Sequence, residues 1–147
     1  MSELAIRASG VGKRYGRSWA LRDCTLTVPA GRVVGLVGAN GAGKSTLLNL
    51  AVGLLRPTQG QLVVLGGRPG SGASQLAKVG FLAQDVPLYS ALTVGDHLKL
   101  GAQLNPGWDD AVALARIERG GLDPPQRAGG LSGGQRAQLA LAVAIGK

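Results

Sequence analysis

The sequence predicts an α/β fold, with strands in its first half and helices from Thr93 onward, and three observations carry that expectation. Residues 32–37, Arg32-Val33-Val34-Gly35-Leu36-Val37, form a β-branched apolar run that reads as a buried strand. A glycine-rich segment follows at once, and after it residues 45–52 place apolar side chains on one helical face. From Thr93 onward the apolar spacing is helical.

The remaining elements follow in order. Residues 4–7 and 24–28 read as strands, the second ended by the turn signal Pro29-Ala30-Gly31. After the first helix, Arg56-Pro57-Thr58-Gln59-Gly60 turns the chain into a strand at 61–65, and 66–74 is a loop rich in Gly and Ser. Residues 78–82 read as a short buried strand that delivers Ala83-Gln84-Asp85. Leu98, Leu100 and Leu104 mark a helix that Asn105-Pro106-Gly107 stops. Asp109-Asp110 open the next helix, which carries Val112, Leu114, Ala115 and Ile117 and ends at Gly120-Gly121. A loop spans 123–130, and Ser132 is placed to cap a last helix running toward Ile145. No internal repeat is present.

Length and composition bound what this chain can be. With 147 residues, 45% hydrophobic and 16% charged, it is predicted to fold as one domain with a core, built from Ala, Val and Leu because aromatics make up only 3%. The net charge of +8 is uneven: up to Gly80 there are ten Lys or Arg against Glu3 and Asp23, whereas from Phe81 onward the signs balance. Two readings of that excess stand, attraction of a polyanion or a solvated basic surface; the scatter of Arg7, Arg14, Arg17 and Arg22 favours the second and argues against nucleic acid. Cys24 is the sole cysteine, which excludes a disulfide framework within the sequence and fits a reducing cytosol. Met1-Ser2-Glu3-Leu4 lacks a signal-like start, and no run approaches the roughly eighteen apolar residues of a membrane span.

The glycine-rich segment carries the chemistry. Gly38-Ala39-Asn40-Gly41-Ala42-Gly43-Lys44-Ser45 fits G-x-x-x-x-G-K-[S/T], a loop whose backbone N–H groups converge on phosphate oxygens while lysine adds a point charge and the hydroxyl a magnesium ligand. Strand, loop and helix in succession are the context this motif needs, since the helix start adds N–H donors and the positive end of its dipole. A shuffled chain of this composition shows the pattern in roughly one case in a hundred. Leu131-Ser132-Gly133-Gly134-Gln135, later in the chain, is rarer still.

Together these motifs make the chain resemble the nucleotide-binding domain of ATP-binding cassette (ABC) transporters. Lys13-Arg14-Tyr15-Gly16 is similar to the family's A-loop, 38–46 to its Walker A loop, Phe81-Leu82-Ala83-Gln84 to its Q-loop, and Leu131 through Arg136 to its signature. The resemblance implies a P-loop NTPase of ABC type, with a mixed sheet core and an N-terminal antiparallel β part, a nucleotide-binding core over 1–86 and a small helical subdomain over 87–147. It implies ATP and Mg2+ as cofactors. Gly38, Asn40, Gly41, Ala42, Gly43, Lys44, Ser45 and Thr46 would enclose the phosphates, with Ser45 and Gln84 at magnesium and Lys44 and Gln84 serving hydrolysis. Tyr15 would stack on adenine, the alternative being a plain turn residue. Ser132, Gly133, Gly134 and Gln135 would face the nucleotide held by a second ATP-binding subunit, in a head-to-tail dimer. His97 precedes the signature and is read as an ordinary helix residue, not the family's switch histidine.

The resemblance also sets expectations beyond the site. No apolar strand ending in Asp-Glu occurs, so the family's Walker B aspartate and catalytic glutamate have no counterpart in the sequence. The chain is therefore expected to be incomplete at its C-terminus, with buried sheet edges left unpaired and little hydrolysis on its own. The implied function is the cytoplasmic ATPase subunit of a transporter, peripheral on the inner membrane face through a transmembrane permease partner, with an export role suggested by the loop and the helical insert. Two alternatives stand beside it: an ABC ATPase acting on ribosomes or DNA, and a nucleotide-binding remnant without turnover.

Overall fold

The structure, a computed structural model, describes residues 3–147; Met1 and Ser2, at the expected leaderless start, lie outside the described residues. It divides into two compact units, one ending at Lys78 and one spanning Val79–Lys147. The division falls earlier than residue 86, because Val79 and Gly80 belong with the C-terminal helix: the Lys147 ammonium donates to the Val79 carbonyl at 2.9 Å, and Gly80 lies against Ala144.

The first unit is built on an antiparallel three-stranded sheet in the order β2-β1-β3, formed by β1 (Leu4–Tyr15), β2 (Ser18–Pro29) and β3 (Gln59–Val64). Both long strands run well beyond the short segments the sequence marks. The reason is bulging: the register shifts between Ala8 and Val11 and again up to Arg14, so the alternation is broken while the ladder continues. Ala8, Val11, Leu62 and Val64 bury one face of the sheet, and α1 (Lys44–Ala51) contributes Leu47, Leu50 and Ala51 to the core. A single-turn helix, α2 (Ala73–Leu76), stands where only loop was expected, and buried Gln75 donates from Nε2 to the Val64 carbonyl at 2.6 Å.

Two expected strands do not form. Residues 32–37 have no ladder partner, and their side chains lie in the open, Val33 fully and Val37 at 93%. Residues 78–82 likewise lack strand structure, with Phe81 and Leu82 exposed. The physical reason is the same in both cases: a strand is completed by hydrogen bonds from a neighbour, and the sheet of the described residues offers none here.

The second unit is helical. Its helices α3 (Val94–Leu104), α4 (Asp110–Arg119) and α5 (Gly133–Ile145) enclose Val94, Leu98, Ala113, Ile117, Leu131, Leu139 and Ala142. Each start is capped by a side chain, at Ser132 as the sequence predicts. Thr93 and Ser132 form reciprocal capping boxes with Asp96 and Gln135, and Asp109 accepts from the Val112 N–H. A turn of 3-10 helix, Ala128–Gly130, leads into the last of these.

Candidate functional site

The 38–46 loop is shaped by its glycines and held by its lysine. Gly41 (φ +82°) and Gly43 (φ +96°) adopt left-handed backbone, open to residues other than glycine only with strain, and Gly43 is the residue from which α1 departs. A β-carbon on Gly43 would stand 2.7 Å from the Ala20 carbonyl, so the loop is seated directly on β2. Sequence reasoning missed this support, since nothing in the local pattern joins residue 20 to residue 43. The loop bends around the Lys44 ammonium, which donates to the carbonyls of Gly38 at 2.6 Å and Ala39 at 2.7 Å.

The start of α1 is suited to an anion. No side chain caps it and no carboxylate lies in its first turn, in contrast to α3 and α4. The N–H groups at its start therefore have no side-chain acceptor, and the dipole end is not offset by an acid. Ser45 is exposed and Thr46 half-buried on the first turn, while Asn40, Gly41 and Ala42 form an exposed rim. Such an arrangement can grip a polyphosphate chemically: fixed amide donors, one ammonium and two hydroxyls, with Ser45 able to face a divalent ion.

Tyr15 closes β1 beside the hairpin turn and is 53% exposed, and the Lys13 ammonium lies 5.2 Å from its ring centre. An accessible flat ring is what adenine stacking requires, and the cation draws on its π face. The basic side chains here are less scattered than the sequence suggests. Arg14 and Arg22 both lie over the Trp19 ring, at 5.5 and 5.9 Å, so indole and guanidinium groups share one surface.

Gln84, Ser132, Gly133, Gly134 and Gln135 belong to the second unit. Gln84 is exposed in a turn, a correction to its expected place at the end of a strand. The signature opens α5: buried Leu131 anchors it, and Ser132, Gly133 and Gly134 are exposed. Ser132 Oγ accepts from the Gln135 N–H at 3.2 Å and Gln135 Oε1 accepts from the Ser132 N–H at 3.0 Å. The two polar side chains of the motif thus serve their own helix first, leaving the glycine amides as the part of the motif turned to solvent.

A family model described as ABC transporter matches residues 21–147. The chain belongs to the ABC transporter family. Among its relatives are the sulfate/thiosulfate import ATP-binding protein CysA of Brucella melitensis, 37% identical over 153 residues that cover 97% of this chain and 42% of that protein. Another is the phosphonates import ATP-binding protein PhnC 2 of Pseudomonas savastanoi pv. phaseolicola, 37% identical over 164 residues covering 96% and 59%. The chain spans about half the length of these curated relatives.

Solved members of the ABC transporter family share the fold. A structure described as the ATP binding subunit of an ABC transporter superposes with a TM-score of 0.82 at 26% identity, covering 96% of this chain and 61% of that one. A dimeric ATP-binding cassette in a post-hydrolysis state, bound to ADP and Pi, gives 0.79 at 26% identity, covering 96% and 69%. Both named relatives are import proteins, in contrast to the export role expected from the loop and the helical insert.

Proposed function

We propose that this chain is the ATP-binding part of an ABC import ATPase, which binds magnesium ATP at the 38–46 loop and works as a head-to-tail dimer with a transmembrane permease subunit. The observation that carries the reading is the loop folded around Lys44 at the uncapped start of α1. In it, the amides of the loop and the Lys44 ammonium bind the β and γ phosphates, and Thr46 lies toward the α phosphate. Ser45 and Gln84 are the residues that would hold magnesium, which when bound supplies charge neutralisation on the phosphates. Tyr15 offers its ring to adenine. The Gly133 and Gly134 amides of one copy, steadied by the Ser132 and Gln135 box, serve the γ phosphate of the other. The dimeric relative bound to ADP and Pi supports this two-copy reading, and the import names of the relatives support the direction.

No helix among the described residues is long and apolar enough to cross a membrane, so the proposed place at the inner membrane face depends on the permease. Titration calorimetry with ATP, with and without magnesium, tests the central step. Uptake is expected to depend on magnesium and to weaken at least about tenfold in Lys44→Ala, the loss of one charge-assisted contact of about 1.4 kcal/mol or more. Equal binding by Lys44→Ala would overturn the reading.

A further inference from the structure

We propose that His97 is a positioning residue that pins the strained segment after Gln84 to the helical unit, so that this segment and the signature helix hold one common arrangement. Only the importance of Gln84 and the signature rests on the function proposed above; the pin itself is a matter of geometry.

His97 is far from an ordinary helix residue. It is 5% exposed on α3, and both ring nitrogens are engaged. Nδ1 lies 2.8 Å from the Thr93 carbonyl, which can only accept, and Nε2 lies 3.1 Å from the Tyr89 backbone N–H, which can only donate. Those partners fix the neutral ring with its proton on Nδ1 and its acceptor facing Tyr89. The Tyr89 side chain is 65% exposed and stacks only loosely on the imidazole, with centroids 6.1 Å apart. Leu88 beside it packs on the helical core and the Tyr89 carbonyl accepts from the Leu92 N–H at 3.0 Å, but the side chain of Tyr89 adds little burial, and the hydrogen bond to His97 is what ties its N–H to α3.

The tethered segment stores strain. Val86, two residues after Gln84, has φ +42°, a conformation that a β-branched residue adopts only when its surroundings impose it. Beyond Tyr89 the segment is bonded to the approach to the signature. The Ser90 carbonyl accepts from the Gly129 N–H at 3.0 Å, and the Leu92 carbonyl from the Ala128 N–H at 2.9 Å. The Ala128 carbonyl in turn accepts from the Leu131 N–H and from Arg136 Nη1, both at 3.2 Å. A run of hydrogen bonds and peptide links thus leads from His97 through Tyr89 and Ser90 to Gly129, and through Leu92 to Ala128, and on to the first turn of α5. With the pin in place the strained segment is held; without it, relaxation at Val86 is free to withdraw Ser90 and Leu92 from their partners.

Residue-resolved amide hydrogen exchange on the chain reads this directly and requires no nucleotide, so its outcome is separate from that of the ATP titration. In His97→Leu, exchange at Tyr89, Ala128 and Gly129 is expected to rise at least about tenfold, while Leu139 and Ala142 in α5 keep their rates. His97→Gln, which retains an acceptor and a donor, is expected to recover most of the protection. Should His97→Leu fail to fold, Gly129→Ala decides from the other side. Its β-carbon would lie 3.0 Å from the Ser90 carbonyl, and pushing that segment away is expected to raise exchange at Tyr89 with His97 intact. Changes confined to Tyr89, no change at all, or a uniform rise that includes Leu139 would each overturn the proposal.

Discussion

Residues 32–37 and helix α5 are almost equally apolar in sequence, yet one lies in solvent and the other at the centre of a core. Val33 and Val37 are essentially fully exposed, whereas Leu139 and Ala142 are fully buried. The contrast follows from where the backbone finds its hydrogen bonds. A helix closes its bonds within itself, so α5 needs only the apolar faces of α3 and α4 to be complete. A strand must borrow partners from its neighbours, and the order β2-β1-β3 gives residues 32–37 none. Hydrophobicity sets the tendency to be buried, but pairing decides whether a β-type segment can be.

The largest expected effect tests that contrast head on. Leu139→Ala should lower the stability of the helical unit by about 2–5 kcal/mol, the cost of a cavity in a fully packed site. Val37→Ser should change stability by no more than about 0.5 kcal/mol, since the side chain gives up no burial. Urea unfolding of each variant measures both. A Val37→Ser penalty near that of Leu139→Ala would show that residues 32–37 are packed, and the comparison would fail.

A smaller effect sharpens the picture within the sheet. Gly60 sits in β3 at φ +76°, and a β-carbon there would run into the Gly10 carbonyl of β1. Gly60→Ala should cost about 1–3 kcal/mol through backbone strain and displacement of the β1–β3 pair. Hydrogen exchange should then accelerate in β1 while α5 stays protected. Equal acceleration in both would mean that the two units unfold as one.

How much of this was legible in the sequence follows the same division between local and borrowed bonding. The cap at Ser132 and the helix starts at Thr93 and Asp109 could be read because a helix start is set within about three residues of itself. The strands could not be bounded, because Gly10 and Gly12 interrupt the alternation at bulges whose register is set by partners on β2 and β3. The same holds at the candidate site. The loop motif and the contacts of Lys44 span only a few residues, so its position at a helix start was readable. Its seat on Ala20 and the tether of His97 to Tyr89 depend on approaches that no spacing rule encodes. Gln84 was placed at the end of a strand by the apolar run of residues 78–82 and lies in a turn instead, for want of a strand partner.

The smallest effect compares the two capping boxes of the helical unit, which share a geometry but differ in charge. At α3, Asp96 Oδ2 accepts from the Thr93 N–H at 3.0 Å and Thr93 Oγ1 accepts from the Asp96 N–H at 3.0 Å. The bond from the Thr93 backbone, then that from its side chain, holds the Asp96 carboxyl below its ordinary value, with the charge of Lys99 adding in the same direction. A carboxyl lowered in the folded state favours folding wherever it is ionised, so its contribution is complete above the ordinary aspartate range, near about pH 4. That contribution is lost as pH falls through the lowered folded value. At α5 the corresponding acceptor is Gln135, which does not titrate. Exchange at the start of α3 should therefore quicken below about pH 4, while the start of α5 changes no more than the unit as a whole. Asp96→Asn should abolish the difference between the two helices in that window. A persistent difference in that variant would place its origin outside the box.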